Sequence, residues 1–164
     1  MRSRHAPILE TRHVHWLSEA DCLAFAAALA QQQAVRNAFI ELHGPLGAGK
    51  TTLVRHLLRA LGVMGRIKSP TYAVVEPYTL QGLDIWHFDF YRFNDPREWE
   101  DAGFRDLFAA PGLKLAEWPD KAAGMLPVAD LQLHIEPQAD DSRLVQAQAG
   151  TARGQALLAG IMAP

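Results

Sequence analysis

The chain has 164 residues, enough for one domain and too few for two well-cored ones. Hydrophobic residues make up 49% and charged residues 21%, the balance of a soluble globular protein, and the net charge of −2 argues against a bulk electrostatic grip on nucleic acid while leaving room for a local basic loop. A single cysteine, Cys22, excludes an internal disulfide and fits a reducing cytoplasm; no apolar run approaches the roughly 18 residues of a membrane span.

The expected organisation is one domain over residues 1–164, with residues 1–10 as a frayed tail. The basic start, Met1-Arg2-Ser3-Arg4-His5, is followed by no long apolar segment, so it does not read as a secretory signal. Arg12 to Trp16 alternates weakly and reads as a first strand. His13 and His15 share one of its faces. With no third ligand nearby, an exposed face is a better reading than a metal site. Ser18 then suits a helix N-cap, with Glu19 and Asp21 in the first turn. Leu23, Phe25, Ala26, Ala27 and Leu29 are its expected apolar surface.

Asn37 to His43 reads as a strand and Lys50 to Leu61 as a helix with Leu53, Leu57, Leu58 and Leu61 on one face. Between and into them runs Gly44-Pro45-Leu46-Gly47-Ala48-Gly49-Lys50-Thr51-Thr52, which fits the phosphate-binding pattern G-x-x-x-x-G-K-[ST]. Strand, glycine loop and helix are what that chemistry requires. Glycines let successive N–H groups face one anion, and the helix N-terminus adds partial positive charge. Lys50 would reach the β/γ-phosphates of a nucleotide, and the Thr51 hydroxyl would hold Mg²⁺.

Gly62 suits the end of that helix. Lys68-Ser69-Pro70-Thr71-Tyr72 follows, at a place where phosphate-loop proteins often carry a γ-phosphate-sensing loop; a connector whose Ser and Thr satisfy their own backbone is an equal reading. Tyr72 to Tyr78 and Leu83 to Tyr91 read as a hairpin, with Pro77 marking the first as an edge strand. In the second strand, Asp89 shares a largely apolar face with Leu83, Ile85 and His87, near the C-terminal end. An unpartnered carboxylate there would be costly, so a metal, a water or Arg92 is its expected partner. Pro96 opens a helical stretch that Gly103 divides. Leu113 to Ala116 is a strand ending in Glu117-Trp118-Pro119. A carboxylate at that point is the usual second metal-binding element beside a phosphate loop; a surface acid paired with Lys114 or Lys121 is the plain alternative. Leu131 to Ile135 and Arg143 to Ala149 form a second pair around the Asp140-Asp141-Ser142 turn, and Thr151 to Met162 is a terminal helix.

Four stretches, in order and approximate spacing, resemble the bacterial tRNA threonylcarbamoyladenosine biosynthesis ATPase family, TsaE. They are Gly44 to Thr52, Lys68 to Tyr72, His87-Phe88-Asp89-Phe90-Tyr91-Arg92 and Glu117-Trp118-Pro119, within roughly residues 16–136. The resemblance implies an α/β P-loop NTPase fold in three layers, with a central mixed sheet that includes antiparallel strands. It implies ATP hydrolysis with Mg²⁺ in support of a TsaB–TsaD pair, which places threonylcarbamoyl on the adenosine beside the anticodon of tRNAs reading A-starting codons. Contact with tRNA is expected only through that pair, without a membrane, in the cytoplasm. Carried over by position, Leu46, Gly47, Ala48, Gly49, Lys50, Thr51 and Thr52 would bind ATP, and Thr51 and Glu117 would hold the metal. Lys50, Asp89, Glu117, Thr71 and Trp118 are the expected catalytic set, and Trp16 to Ala20 the region nearest the adenine. Phe90 and Phe93 stand where the family more often has leucine, and nothing after Pro137 carries over.

Phosphoryl transfer needs charge stabilisation and an in-line water. Lys50, the loop amides and Mg²⁺ would supply the first; Asp89 is the candidate for positioning the water and Thr71 for sensing the γ-phosphate. Arg92 and Arg105 are the candidate arginine fingers, with salt bridges as their plain alternative. Two other functions fit the same loop: a small-molecule kinase, which lacks here the usual arginine-rich lid, and a nucleotide-binding switch without hydrolysis, which would not need Thr51, Asp89 and Glu117 together.

Overall fold

The computed structural model describes residues 7–70, 74–101 and 103–161. Its elements, in chain order, are β1 (Glu10–Trp16), α1 (Glu19–Ala30), β2 (Phe39–His43), α2 (Lys50–Leu61), β3 (Val75–Leu80), β4 (Leu83–Asp89), α3 (Pro96–Asp101), α4 (Phe104–Ala109), β5 (Leu113–Glu117), β6 (Leu131–Pro137), β7 (Arg143–Ala149) and α5 (Ala152–Ile161). Among the described residues the strands form one sheet in the order β1-β7-β6-β2-β5-β4-β3. β6, β2, β5 and β4 run parallel to their neighbours in that set, while β1 and β7 at one side and β3 at the other pair antiparallel. The expected mixed sheet is therefore present.

Two cores lie on the sheet's two faces. On one face α1, α2 and α5 cover Ile40, Leu42, Leu113, Leu115, Leu131 and Leu133. α2 is seated by Leu53, Val54, Leu57 and Leu58, close to the expected stripe, with Leu61 only partly buried. α1 buries Cys22, Phe25, Ala26 and Leu29, a clean i, i+3, i+4, i+7 set, which turns Leu23 outward to 48% exposure instead of into the core. Ser18 occupies the N-cap in extended backbone but makes no side-chain bond there; the Asp21 carboxylate accepts the Leu17 N–H at 2.8 Å instead. On the opposite face Phe88, Phe90, Phe93, Trp99, Phe104 and Phe108 pack ring against ring at centroid distances of 4.7 to 6.4 Å. β4 and the residue after it feed both cores by alternation: Leu83 and Ile85 enter the first, Phe88 and Phe90 the second.

Several boundaries move from their expected places. Gln33–Asn37 forms a 3₁₀ turn, so β2 begins only at Phe39; the Asn37 side chain is used to accept the Gly112 N–H at 3.0 Å. Leu9 and Glu10, expected in a frayed tail, belong to the sheet: the Leu9 N–H donates to Ala149 O at 2.8 Å, and Glu10 pairs with Ala149. Gly62, with φ 112°, ends α2 as expected, its own N–H and that of Val63 capping the last turn. Pro77 lies on edge strand β3. Among the described residues no helix is long and apolar enough to cross a membrane, and His13 and His15 are exposed on β1.

Cys22 has a thiol pushed up to about 12, first by burial and then by Glu19. A thiol held protonated is a poor nucleophile. The native protein should therefore resist alkylation by iodoacetamide at pH 8 and label fully once unfolded in urea, read by mass spectrometry. Rapid labelling of the folded chain would show that α1 is not seated as described.

Candidate functional site

β2, β4 and β5 are parallel neighbours, so their C-terminal ends reach one edge of the sheet together. There Glu117 is in register with both Leu42 and Asp89. The chain leaves β2 at Gly44 and curls into α2. Gly44, at φ 151°, passes so close to β6 that a Cβ would sit 2.6 Å from Ile135 O. Gly49, at φ 107°, is the N-cap of α2 in a left-handed conformation. The curl presents the first N–H groups of α2 to the cleft, where an anion is favoured.

Lys50 is only 5% exposed. Its ammonium donates to Gly44 O and lies 3.6 Å from the centre of the Trp118 ring. Burial pulls its pKa down from the usual lysine range, against the attraction of Glu117, Asp89 and Asp120. Thr51, one residue on, donates its hydroxyl hydrogen to the Glu117 carboxylate, with Oγ1 3.1 Å from Oε1 and 3.3 Å from Oε2. Glu117 is 3% exposed, so the surface-acid reading is overturned. Lys114 donates instead to Ala110 O, and no Lys or Arg among the described residues is within ion-pair distance of Glu117. Its partner across the sheet is His87, with Nε2 2.7 Å from Oε2.

Asp89 is half-buried at the end of β4. Its Oδ1 accepts the Tyr91 N–H at 3.0 Å. Burial raises its pKa above the ordinary aspartate range; the Tyr91 N–H opposes that shift and Glu117 adds to it. Trp118 follows Glu117 in the left-handed region, φ 56° and ψ 48°, a conformation costing a non-glycine residue about 1–3 kcal/mol. That backbone turn brings its ring to 5.0 Å from Tyr91 and under Lys50.

Residues 46–52, Asp89, Glu117 and Trp118 thus line one cleft of about 340 Å³, joined by Tyr91, Arg92 and Arg143. Apart from Thr71, which lies outside the described residues, every residue of the expected catalytic, ATP-binding and metal-holding sets is in it. Trp16 to Ala20 and Arg105 do not line it. Arg143 and His87 had not been expected at the site. Arg143, at the start of β7, donates from Nε to Ala48 O at 2.8 Å and from Nη1 to Asp141 O at 2.6 Å, tying the glycine loop to the β6–β7 turn. Nothing local marks it, since its partner is 95 positions away. His87 did carry a signal: it shares a strand face with Asp89.

The donors fit a nucleotide and its metal. The loop and helix start suit phosphate. A hydroxyl and a buried carboxylate within hydrogen-bond reach, with no Lys or Arg partner among the described residues, form a hard oxygen set of the kind Mg²⁺ prefers, and Mg²⁺ needs few protein ligands.

Comparison with known proteins agrees. The family model for threonylcarbamoyl adenosine biosynthesis protein TsaE matches residues 16–145. The chain is 42% identical over 134 residues to the tRNA threonylcarbamoyladenosine biosynthesis protein TsaE of Haemophilus influenzae, covering 82% of this chain and 84% of that one. It is 30% identical over 128 residues to the protein of the same name from Rickettsia bellii, covering 77% and 88%. The crystal structure of Bacillus subtilis YdiB superposes with a TM-score of 0.77 at 25% identity, over 95% of this chain and 97% of that one. The fold, the strand-end cleft and the span of the match together place this chain in the TsaE family.

Proposed function

We propose that the protein is a Mg²⁺-dependent ATPase of the cytoplasm that supports threonylcarbamoyl transfer to the adenosine beside the anticodon in tRNAs reading A-starting codons. It acts on a TsaB–TsaD pair, allowing that pair repeated turnovers, and meets tRNA through the pair. The reading rests on one observation above all: Lys50, Thr51, Asp89, Glu117 and Trp118, drawn from three strand ends, converge on one cleft. Simple nucleotide storage would need the loop and Lys50 but not a raised-pKa aspartate beside a buried glutamate.

Each residue has a task. The amides of residues 46–52 and the Lys50 ammonium hold the β- and γ-phosphates and stabilise charge that develops between them. Thr51 and Glu117 would hold Mg²⁺, which supplies further neutralisation of the phosphate oxygens when bound. Asp89 accepts a hydrogen bond from the attacking water and orients it. Trp118 walls the cleft and, under Lys50, fixes where that ammonium sits. Thr71 is assigned the γ-phosphate sensor. Without a further cation delivered to the cleft, hydrolysis is slow, and a partner protein accelerates it.

Two measurements test this. Asp89→Asn should bind ATP within about twofold of the parent yet hydrolyse it about 100-fold more slowly. Reconstituted tRNA modification with TsaB and TsaD should stop near one turnover without this chain and continue with it, but not with Asp89→Asn. ADP formation that depends strictly on an added metabolite acceptor, with the phosphoryl group carried onto that acceptor, would point to a kinase and end the proposal, as would full modification activity in Asp89→Asn.

A further inference from the structure

His87 is one of the most deeply buried polar side chains of the protein, at 1% exposure, and the roles assigned above leave it without a task. We infer that His87 is the positioning residue that decides which oxygen of Glu117 faces the metal. This inference rests on the assignment of Thr51 and Glu117 as the Mg²⁺-holding pair.

The geometry carries the argument. β4 and β5 are parallel with Asp89 opposite Glu117, and His87 lies two residues before Asp89 on the same strand face. The Glu117 carboxylate reaches diagonally onto the His87 ring, where Nε2 and Oε2 are 2.7 Å apart. That is the short distance of a charge-assisted bond, with the ring N–H donating to the carboxylate. Thr51 cannot make the same selection, because its hydroxyl is 3.1 Å from one Glu117 oxygen and 3.3 Å from the other. Among the described residues, only His87 distinguishes them. It occupies Oε2 and leaves Oε1, the oxygen nearer Thr51, to the metal.

The other ring nitrogen strengthens the case. Nδ1 is buried and has no partner among the described residues. A buried polar atom left in that state destabilises the fold. An imidazole retained at such a place serves its one polar contact, Glu117. Hydrogen-bonded supports of this kind set the orientation of metal-binding carboxylates, and losing one weakens metal affinity about 10- to 100-fold.

The test separates metal grip from nucleotide grip and from stability. Binding of ADP is measured by calorimetry in EDTA and across a Mg²⁺ titration, for the parent, His87→Leu, His87→Asn and His87→Gln. Glutamine can place an N–H near the position of Nε2; asparagine is too short and leucine has no donor. Leu and Asn should leave the EDTA affinity within about twofold and raise the Mg²⁺ concentration for half-effect about 10- to 100-fold. Gln should restore it to within about threefold. The melting temperature of metal-free His87→Leu should fall only modestly, because leaving the buried Glu117 Oε2 without its donor is partly offset by removal of the unpartnered Nδ1. If Leu and Asn keep the parental Mg²⁺ midpoint, His87 does not position Glu117. If they lose EDTA affinity as well, its role is general packing and the inference is overturned. Should Leu fail to fold, Asn and Gln still decide between these outcomes. If the parent itself shows no Mg²⁺ effect on ADP binding, the fault lies in the metal assignment of Thr51 and Glu117, a result distinct from any difference among the His87 variants.

Discussion

Lys50→Ala is expected to lower ATP hydrolysis by at least about 100-fold and to weaken nucleotide binding, the larger of the functional effects foreseen for this site. The reason is where the ammonium sits. It is buried between Gly44 O and the face of Trp118, close enough to feel Glu117, Asp89 and Asp120. Removing it leaves those carboxylates facing an incoming polyphosphate with less opposing charge. The lowered pKa has a clear sign: in the empty cleft burial disfavours the charged lysine, and an arriving phosphate restores it. The fold should survive, because the lost cation–π contact, worth about 0.5–2 kcal/mol, is offset by no longer burying an ammonium. Phosphate release and calorimetric ATP binding read the first effect and thermal melting the second. Near-parental hydrolysis by Lys50→Ala would remove the phosphate loop from the mechanism.

Gly154→Ala should be the most damaging single methyl elsewhere, costing about 3 kcal/mol or more. Gly154 is in the first turn of α5, where an added Cβ would lie 1.7 Å from Asp130 O and 2.8 Å from Asp130 C. That backbone cannot move aside. Asp130 N–H donates to Phe39 O, Asp130 O accepts from Gly150 N–H, and its two carboxylate oxygens accept the Phe39 N–H at 2.7 Å and the Thr151 hydroxyl at 2.6 Å. The N–H of Gly154 itself donates to Thr151 Oγ1 at 3.1 Å, closing the knot. For a chain of this size the melting temperature should fall by about 6–12 °C. Gly160→Ala in the same helix is the control. The three atoms nearest its Cβ would all belong to the end of the Gln32 side chain, which can swing away at the cost of bonds to Ala28 O and Leu157 O. A gain of up to about 1 kcal/mol in helix propensity works against that loss, so its shift should be small. Equal shifts in the two variants would mean that α5 is not seated on Asp130.

The loop, its strand and its helix were legible because their chemistry is local. Glycine spacing, a preceding β-run and a leucine stripe are all within 25 residues. Glu117 was half legible. Its place at a strand end was readable, but a carboxylate near Lys114 and Lys121 in sequence looks the same whether it faces water or a cleft. Only the register with Leu42 and Asp89, and the retreat of Lys114 onto Ala110 O, decide it. The α1 face was misread at Leu23 because an alanine-rich helix offers more than one apolar stripe, and the bulky neighbours that choose between them, Trp16 among them, lie outside the helix. Arg143 was not legible at all. Its role exists only because the β6–β7 turn arrives beside a loop made 95 residues earlier. The aromatic layer of Phe88, Phe90, Trp99 and Phe104 was visible as residues but not as a layer, since its members come from separate elements.

The sheet order also sets a schedule for synthesis. β2, which launches the glycine loop, is flanked by β5 and β6, and both are made much later. β1 is made first and paired almost last, since Glu10 waits for Ala149. A chain emerging from the ribosome can wind α2 early, but that helix has no complete sheet to lie on until residue 137 is out. ATP therefore cannot act as an early template for the nascent chain. A truncation series tethered to ribosomes would capture no nucleotide until β6 had cleared the exit tunnel. During that interval the exposed strands of an unfinished sheet are where chaperones would find this protein.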